Sequence, residues 1–240
     1  MARCWLPDGR CGRIGPACRS GQCVARSLHR LHDKRWRDKL GLFFVEGEDA
    51  VEAATAEPVE LLRAGEDVEP ELLAEVASAP HPPRVVAVYR RDDLPASEAR
   101  EATLALWRLA DPGNVGTLIR TADAFGAAVV LSEGCADPTS PKALRASAGS
   151  IWRVPVGAWQ DIGGRRIALE AHGGEPLSSL DLSGRVTFLL GAEREGLPAE
   201  VERDVSATIP LAGAESLNVA ATGAIALYAR TVPGVSGPGP

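Results

Sequence analysis

Residues 102–126 read ATLALWRLADPGNVGTLIRTADAFG, and the reading of this stretch decides the fold. An apolar run, read as a strand over 103–109, breaks at Asp111-Pro112-Gly113 and passes into a helix over 114–125. Asn114 stands where an N-cap belongs, its amide oxygen placed to accept from a free backbone N–H. Val115, Leu118, Ile119, Ala122 and Phe125 recur at helical spacing as a buried stripe, and Gly126 supplies the stop after the last turn. A largely apolar strand feeding into a helix, an alternation that recurs downstream, predicts a parallel sheet covered on both faces. Asn114, Thr117 and Arg120 fall every third residue, so at about 100° per residue they span roughly 120° of the opposite helix face. A cap amide, a hydroxyl and a guanidinium at the end of a parallel strand suit an anionic ligand such as phosphate. A capped helix with a solvated arginine uses the same residues, so this segment alone leaves both readings open.

Downstream the alternation continues, with strands read over 127–131, 151–156, 166–170, 186–190 and 207–211 and helices over 140–147, 198–203 and 217–230. Residues 188–198 read FLLGAEREGLP, an apolar strand running into two glycines that flank a carboxylate. Glycine at the carboxyl end of a strand lets a ligand approach the backbone. Glu193, Glu195 and Glu200 would repel a bare polyphosphate, which argues against a nucleoside triphosphate here. A tight strand-to-helix connection accounts for the glycines equally well. Residues 207–228 read ATIPLAGAESLNVAATGAIALY, a strand, a loop through Gly213, then Ser216-Leu217-Asn218 opening a helix rich in small residues. Such a thin helix permits close backbone packing. A small-residue core helix explains the alanines but not the Ser-Leu-Asn at its mouth.

Upstream, residues 26–40 read as one basic helix, with Leu28, Leu31, Arg35/Trp36 and Leu40 on a partly apolar face. Strands at 42–45, 59–62 and 85–89 alternate with helices at 49–56 and 70–77, a small α/β unit. Residues 92–100 read as a linker to the larger unit. The chain of 240 residues is 45% hydrophobic and 24% charged, ordinary values for a globular protein. No apolar run is long enough for a membrane span and none follows the basic N-terminus as a signal would, so the expected address is the cytoplasm. Charge is unevenly spread: +7 over residues 1–40, −9 over 41–100 and −4 over 101–240. A basic arm on an acidic body suits a chain that grips phosphates with one end, and a solvated tail has the same charge. If the arm does grip phosphates, deleting it should weaken binding of a phosphate-bearing partner and flatten the salt dependence; an unchanged salt slope would make it a passenger.

Cys4, Cys11, Cys18 and Cys23 are separated by six, six and four residues, which matches no compact zinc pattern even with His29 and His32 nearby. Residues 1–25 are therefore read as a flexible basic extension, with no metal expected. G-x-G-x-x-G after a strand, G-x-x-x-x-G-K-[ST], H-E-x-x-H and G-x-S-x-G are all missing. The four histidines lie away from the glycine segments, so histidine acid–base catalysis is not expected.

Residues 111–126, 191–197 and 209–228 together resemble, in order and spacing, the three motifs of the SpoU/TrmH branch of the SPOUT RNA methyltransferases. Lys142–Gly149 is similar to the family's connecting helix and Val154-Pro155 to the strand after it; the likeness covers residues 102–230. Residues 26–90, with Phe43-Phe-Val-Glu-Gly47, resemble the small ribosomal-protein-like RNA-binding domain that many members carry in front. The resemblance implies a substrate-binding α/β domain over 26–98, then a SPOUT domain over 102–232 whose parallel sheet ends in a trefoil knot, and a tail over 233–240. It implies S-adenosylmethionine as methyl donor, held at Leu190, Gly191, Gly196, Ile209, Leu211, Ser216, Leu217 and Asn218. It also implies a homodimer with the site at the interface, and methyl transfer to a ribose 2′-hydroxyl of RNA.

Asn114, Arg120, Glu193, Ser216 and Asn218 are the positions to which the resemblance assigns the reaction. A guanidinium with a pKa above about 12 is a poor base, so Arg120 is read as clamping the neighbouring phosphate and stabilising the developing alkoxide. Asn114 would position ribose or phosphate, Glu193 would hold Arg120 or the motif loops, and Ser216 and Asn218 would shape the donor pocket. Ala220 departs from the family, where many members have serine; the hydroxyl it lacks would belong to the donor pocket. A ribosomal-protein-like front domain favours rRNA as substrate, with methylation conferring antibiotic resistance a special case. A tRNA 2′-O-methyltransferase is the nearest alternative; a non-catalytic RNA-binding member and a small-molecule methyltransferase are others.

Overall fold

The computed structural model describes residues 21–78 and 81–231, so Cys4, Cys11, Cys18, most of the extension read at 1–25 and the tail from 233 lie outside the described residues. The chain opens with α1 (Gly21–His32) and α2 (Lys34–Leu40), not the single helix read over 26–40. Asp33 divides them: it is extended (φ −88°, ψ 125°) and its carboxylate accepts from Arg35 N–H, which starts a new helix. Strand β1 (Leu42–Glu46), α3 (Glu48–Glu52), β2 (Glu60–Arg63), α4 (Pro70–Val76) and β3 (Val85–Arg90) complete the first unit. Its sheet is antiparallel, ordered β1-β3-β2, with Phe43 opposite Tyr89 and Phe44 opposite Val88. Alternation sends Phe44, Leu62, Val86 and Val88 under α1 and α4, where Leu28, Leu31 and Leu73 meet them. His32, one of the two histidines near the cysteines, bonds the Val76 carbonyl at 2.8 Å and meets Phe44 edge-on.

The second unit contains β4 (Ala102–Leu106), α5 (Pro112–Ala124), β5 (Ala128–Leu131), α6 (Pro141–Ser147), β6 (Val156–Ala158), β7 (Arg165–Glu170), β8 (Glu175–Pro176), β9 (Val186–Leu190), β10 (Val205–Thr208) and α7 (Val219–Thr231). Its seven strands lie in the order β6-β5-β4-β9-β7-β10-β8, and every pairing is parallel. Strands β4 and β9 are buried along their whole length, as their mostly apolar sequence requires; the one polar residue of each, Thr103 and Thr187, is buried with them, and the Thr187 hydroxyl donates to the Gly163 carbonyl. Helices α5, α6 and α7 all cover one face. The other face is covered by Trp107, Trp159, Ile162, Leu197 and Val201, and the helix read over 198–203 does not form. Residues 198–201 close one turn only; Arg203 then binds the carbonyls of Val201 and Pro198 and the Glu170 carboxylate, and β10 begins at Val205.

The strand read over 151–156 begins only at Val156. Ala148 and Gly149 are both left-handed (φ 47° and 81°), and Ser150–Trp152 form a 3₁₀ turn that swings Trp152 onto the first sheet. There its ring meets Phe43 at 5.7 Å and Tyr89 edge-on at 4.7 Å. The residues read as a linker do connect the two sheets, through a 3₁₀ turn at Arg91–Asp93, yet Phe43, Tyr89 and Trp152 belong to one hydrophobic cluster spanning both. Arg37 of α2, only 2% exposed, completes this joint. Its Nε donates to Asp137 at 2.8 Å, and its Nη1 donates to the carbonyls of Leu31 and His32 that end α1. Arg91 and the Thr139 hydroxyl also donate to Asp137.

Candidate active site

Three connections converge at the carboxyl end of the sheet's centre, where β4, β9 and β10 end. The first runs from β4 into α5, and here the cap differs from the sequence reading: Asp111, not Asn114, is the N-cap. Its carboxylate accepts from Gly113 N–H at 2.5 Å, with Pro112 in the first helical position. Lys142 of α6 pairs with Asp111 at 3.0 Å, and together these donors hold its carboxyl below the usual range. Relieved of capping, the Asn114 side chain is available for contacts across the chain.

Those contacts join the three motifs. Asn114 Nδ2 donates to Glu193 Oε1 at 3.1 Å, and Asn218 Nδ2 donates to Asn114 Oδ1 at 3.2 Å. Asn218 Oδ1 in turn accepts from Ala220 N–H at 2.9 Å, so one residue caps α7 and closes the relay. Partial burial pushes the Glu193 carboxyl up. The Asn114 amide and backbone N–H groups of Glu193 and Asp111 outweigh it, and the net shift is downward, so the carboxylate is charged at neutral pH. Glu193 makes no ion pair with Arg120 among the described residues; its carboxylate meets Asn114 instead.

Arg120 lies almost two turns further along α5, exposed, on the side away from the Val115–Leu118–Ile119–Ala122 stripe. Thr117, between them, donates its hydroxyl to the Gly113 carbonyl. Leu190 is the buried last residue of β9, and Gly191 begins a turn closed by paired hydrogen bonds between Ala192 and Gly196 at 3.2 and 2.9 Å. A Cβ on Gly191 would stand 2.2 Å from the Gly196 carbonyl carbon, and Gly196 is itself left-handed (φ 66°). Ile209 and Leu211 follow β10, which ends at Thr208 rather than continuing to 211. Ser216 is exposed and Leu217 half-buried just ahead of Asn218. No backbone–backbone hydrogen bond among the described residues uses the amides or carbonyls of 209–217, so this loop presents unengaged polar backbone beside the Gly191 turn.

The small residues of α7 serve packing within the chain. A Cβ on Gly223 would stand 2.4 Å from Leu118 of α5, and Leu190 is the next neighbour. On the outer side of α7, Ile225 and Tyr228 are 38% and 61% exposed, the two large hydrophobic residues left in solvent among those described. Sequence reading missed Asp111 as the cap, Lys142 as its partner and the Asn218–Asn114–Glu193 relay. The Pro112 at N1 could have signalled the cap; nothing local could have signalled the relay, whose members are 79 and 104 residues apart.

The SpoU rRNA Methylase family model matches residues 101–228. The chain is 33% identical over 230 residues to the 23S rRNA (guanosine(2553)-2′-O)-methyltransferase RlmP of Bacillus subtilis, covering 83% of this chain and 92% of that protein. It is 33% identical over 192 residues to a 23S rRNA (uridine(2479)-2′-O)-methyltransferase of Streptomyces viridochromogenes, covering 70% and 67%. Among solved structures, the AdoMet-bound rRNA methyltransferase from Sinorhizobium meliloti superposes with a TM-score of 0.75 at 28% identity, covering 86% of this chain and 93% of that one. The SpoU methyltransferase AviRb from Streptomyces viridochromogenes, also with AdoMet, gives 0.75 at 25% identity, covering 86% and 96%. With its parallel sheet, its three joined motif loops and a family match over more than half its length, the chain belongs to the SpoU rRNA methylase family.

Proposed function

We propose that this protein transfers a methyl group from S-adenosylmethionine to a ribose 2′-hydroxyl of 23S-type rRNA. The observation that carries the reading is the Asn218–Asn114–Glu193 relay, which draws all three family motifs to one point at the sheet's carboxyl end. The two solved relatives named above hold AdoMet, and the two curated relatives are 23S rRNA 2′-O-methyltransferases. The residues present fit the donor. Unengaged amides and carbonyls of 209–217 can bind adenine and ribose edges, bare backbone at Gly191 allows close approach, and ionised Glu193 favours a nearby positive charge. Leu190, Gly191, Gly196, Ile209, Leu211, Ser216, Leu217 and Asn218 would line its pocket.

When bound, S-adenosylmethionine supplies a methyl group already activated by its positive sulfur, so the protein's task is alignment and charge. Asn114, fixed from both sides, orients the ribose. Arg120 grips the phosphate beside it and stabilises negative charge as it builds on the 2′-oxygen. The hydroxyl proton passes to that phosphate, because the guanidinium stays protonated throughout. Glu193 and Asn218 hold Asn114 and the loops in register.

The chain is further read as a homodimer that pairs through the Ile225–Tyr228 side of α7, and as carrying a C-terminal trefoil knot. Insertion of β9 between β4 and β7, with α7 packed back on α5 and β9, supports the knot. The first unit is read as a ribosomal-protein-like RNA-binding domain. There Arg30, Arg35 and Lys39 surround the half-buried Trp36 ring at 4.7, 5.9 and 4.9 Å, a cationic and aromatic surface suited to phosphates and bases. The cytoplasm is the matching compartment; among the described residues no helix is long and apolar enough to cross a membrane.

Alkaline hydrolysis tests the reaction, because a 2′-O-methyl group removes the nucleophile that cleaves the adjacent phosphodiester. One new protected position in 23S rRNA incubated with protein and donor is the expected result; an unchanged ladder would contradict it. For the donor pocket, Gly191→Ala is expected to open the Ala192–Gly196 turn. Overpacking of this kind costs about 1–3 kcal/mol, so calorimetry should show donor affinity falling roughly tenfold with the circular dichroism spectrum retained.

A further inference from the structure

The sheet face that lacks a helix carries two tryptophans at its carboxyl edge. Trp107 directly follows β4 and Trp159 directly follows β6; their rings meet edge to face, with centroids 5.0 Å apart at 67°. Both are half-buried. With Arg108, Gln160 and Ile162 they line an open cleft of about 570 Å³, closed on its far side by residues 198–202. A plain apolar cover would explain the buried parts of these rings, but not an open, indole-walled cleft edged by an amide and a carboxylate.

The charges around it indicate the kind of ligand. Arg166 and Glu202 pair with each other at 2.5 Å, which leaves Arg108 and Glu200 as the free ends of the lining. Arg108 lies 5.6 Å from the Trp107 ring centroid and pairs with no carboxylate among the described residues. Its backbone is left-handed (φ 48°), and its N–H is fixed by the Ser132 hydroxyl at 2.8 Å, so its position at the rim is held against local preference. Flat apolar walls and hydrogen-bonding groups at the edge suit a neutral aromatic ring; with two arginines against two glutamates the lining carries no net charge, and a single phosphate on that ring is drawn to Arg108 rather than to the cleft as a whole. The cleft shares no lining residue with the candidate active site but is tied to it through the backbone. Trp107 N–H donates to the Leu190 carbonyl at 2.8 Å, and the chain runs on from Trp107 to Asp111 and Asn114.

We infer that Trp107 and Trp159 form a stacking site for an unpaired base of the RNA, next to the nucleotide that is methylated, with Arg108 on that base's phosphate. This inference rests on the reading of rRNA as the substrate. Stacking on an aromatic face tolerates any base and is worth roughly 5- to 150-fold in affinity per base. The site would therefore hold the RNA strand in place rather than read its sequence.

The test uses the full chain with bacterial 23S rRNA as probe and separates an apolar cover from a stacking surface. Trp159→Leu and Trp107→Leu keep the apolar cover and lose the indole; Trp159→Phe keeps an aromatic face. KM for rRNA is expected to rise about tenfold in each leucine variant and to stay within about threefold of wild type in the phenylalanine variant. Donor affinity and melting temperature should hold in all three. Ultraviolet cross-linking of the wild-type complex should attach a nucleotide to the peptide bearing Trp107 or Trp159. Leucine and phenylalanine variants with equal KM, no cross-link at either tryptophan, or a leucine variant altered only in oligomeric state would each overturn the inference. A wild-type protein that methylates no RNA would sink the rRNA reading, whereas the cross-link reports on the cleft independently.

Discussion

Arg120→Ala is expected to lower kcat for RNA methylation about 10²- to 10³-fold, the usual loss when one preorganised charge at a developing oxyanion is removed. The same variant should bind S-adenosylmethionine as wild type does and melt within a few degrees of it. That separation follows from where the side chain lies. Arg120 is exposed on α5, away from the buried stripe, and no hydrogen bond or ion pair ties it to another described residue, so its removal opens no cavity and strands no partner. Arg120→Lys keeps the charge and loses the two-pronged geometry, and should recover only part of the rate. Steady-state kinetics at saturating donor, beside calorimetric donor affinity, checks the prediction; an unchanged kcat would remove Arg120 from the mechanism.

The second large effect is on stability. Asp137→Ala leaves the Arg37 guanidinium buried without its carboxylate, and breaking a buried pair in this way costs about 3–5 kcal/mol. Burial alone would raise the Asp137 carboxyl. The Arg91 charge, the Thr139 hydroxyl and the Arg37 charge outweigh it, and the net displacement is downward. The sign of the pH dependence follows: the contribution is complete above the ordinary aspartate value of 3.8 and is lost as pH falls through the lower folded value. Urea melts at pH 7 should therefore separate wild type from variant widely, and the gap should narrow as pH falls below 3.8. The double variant Arg37→Met/Asp137→Ala should regain part of the loss, because no stranded charge remains. A constant gap across that range would show that the carboxylate's charge is not what holds the joint.

The contrast between these two arginines shows what the sequence could and could not convey. Both sit in helices with basic or polar neighbours. Arg120 is legible because its helix has a clean apolar stripe and a fixed place after an apolar strand. Arg37 reads as one more cation on a basic helix, and its burial depends on Asp137, 100 residues away. The same limit explains the site. Strands β4 and β9, helix α5 and the glycine turn at 191–196 follow from local apolar runs and turn residues. The contacts of Asn114 depend on Asp111 having taken over the cap and on two loops far along the chain. The strand at 156 was displaced because Ala148 and Gly149 turn the backbone and Trp152 finds Phe43 and Tyr89, a preference no local pattern contains. The helix expected at 198–203 failed because Arg203 binds the very carbonyls that would have continued it.

The most direct test of the central claim is transfer of tritiated methyl groups from S-adenosylmethionine to total RNA, separated afterwards into rRNA and tRNA and digested to nucleosides. Label in the 23S fraction, on 2′-O-methylated nucleosides, that disappears with Arg120→Ala is the predicted result. Label confined to tRNA, or located on a base instead of a ribose, would contradict the account, as would no label from a protein that still binds the donor.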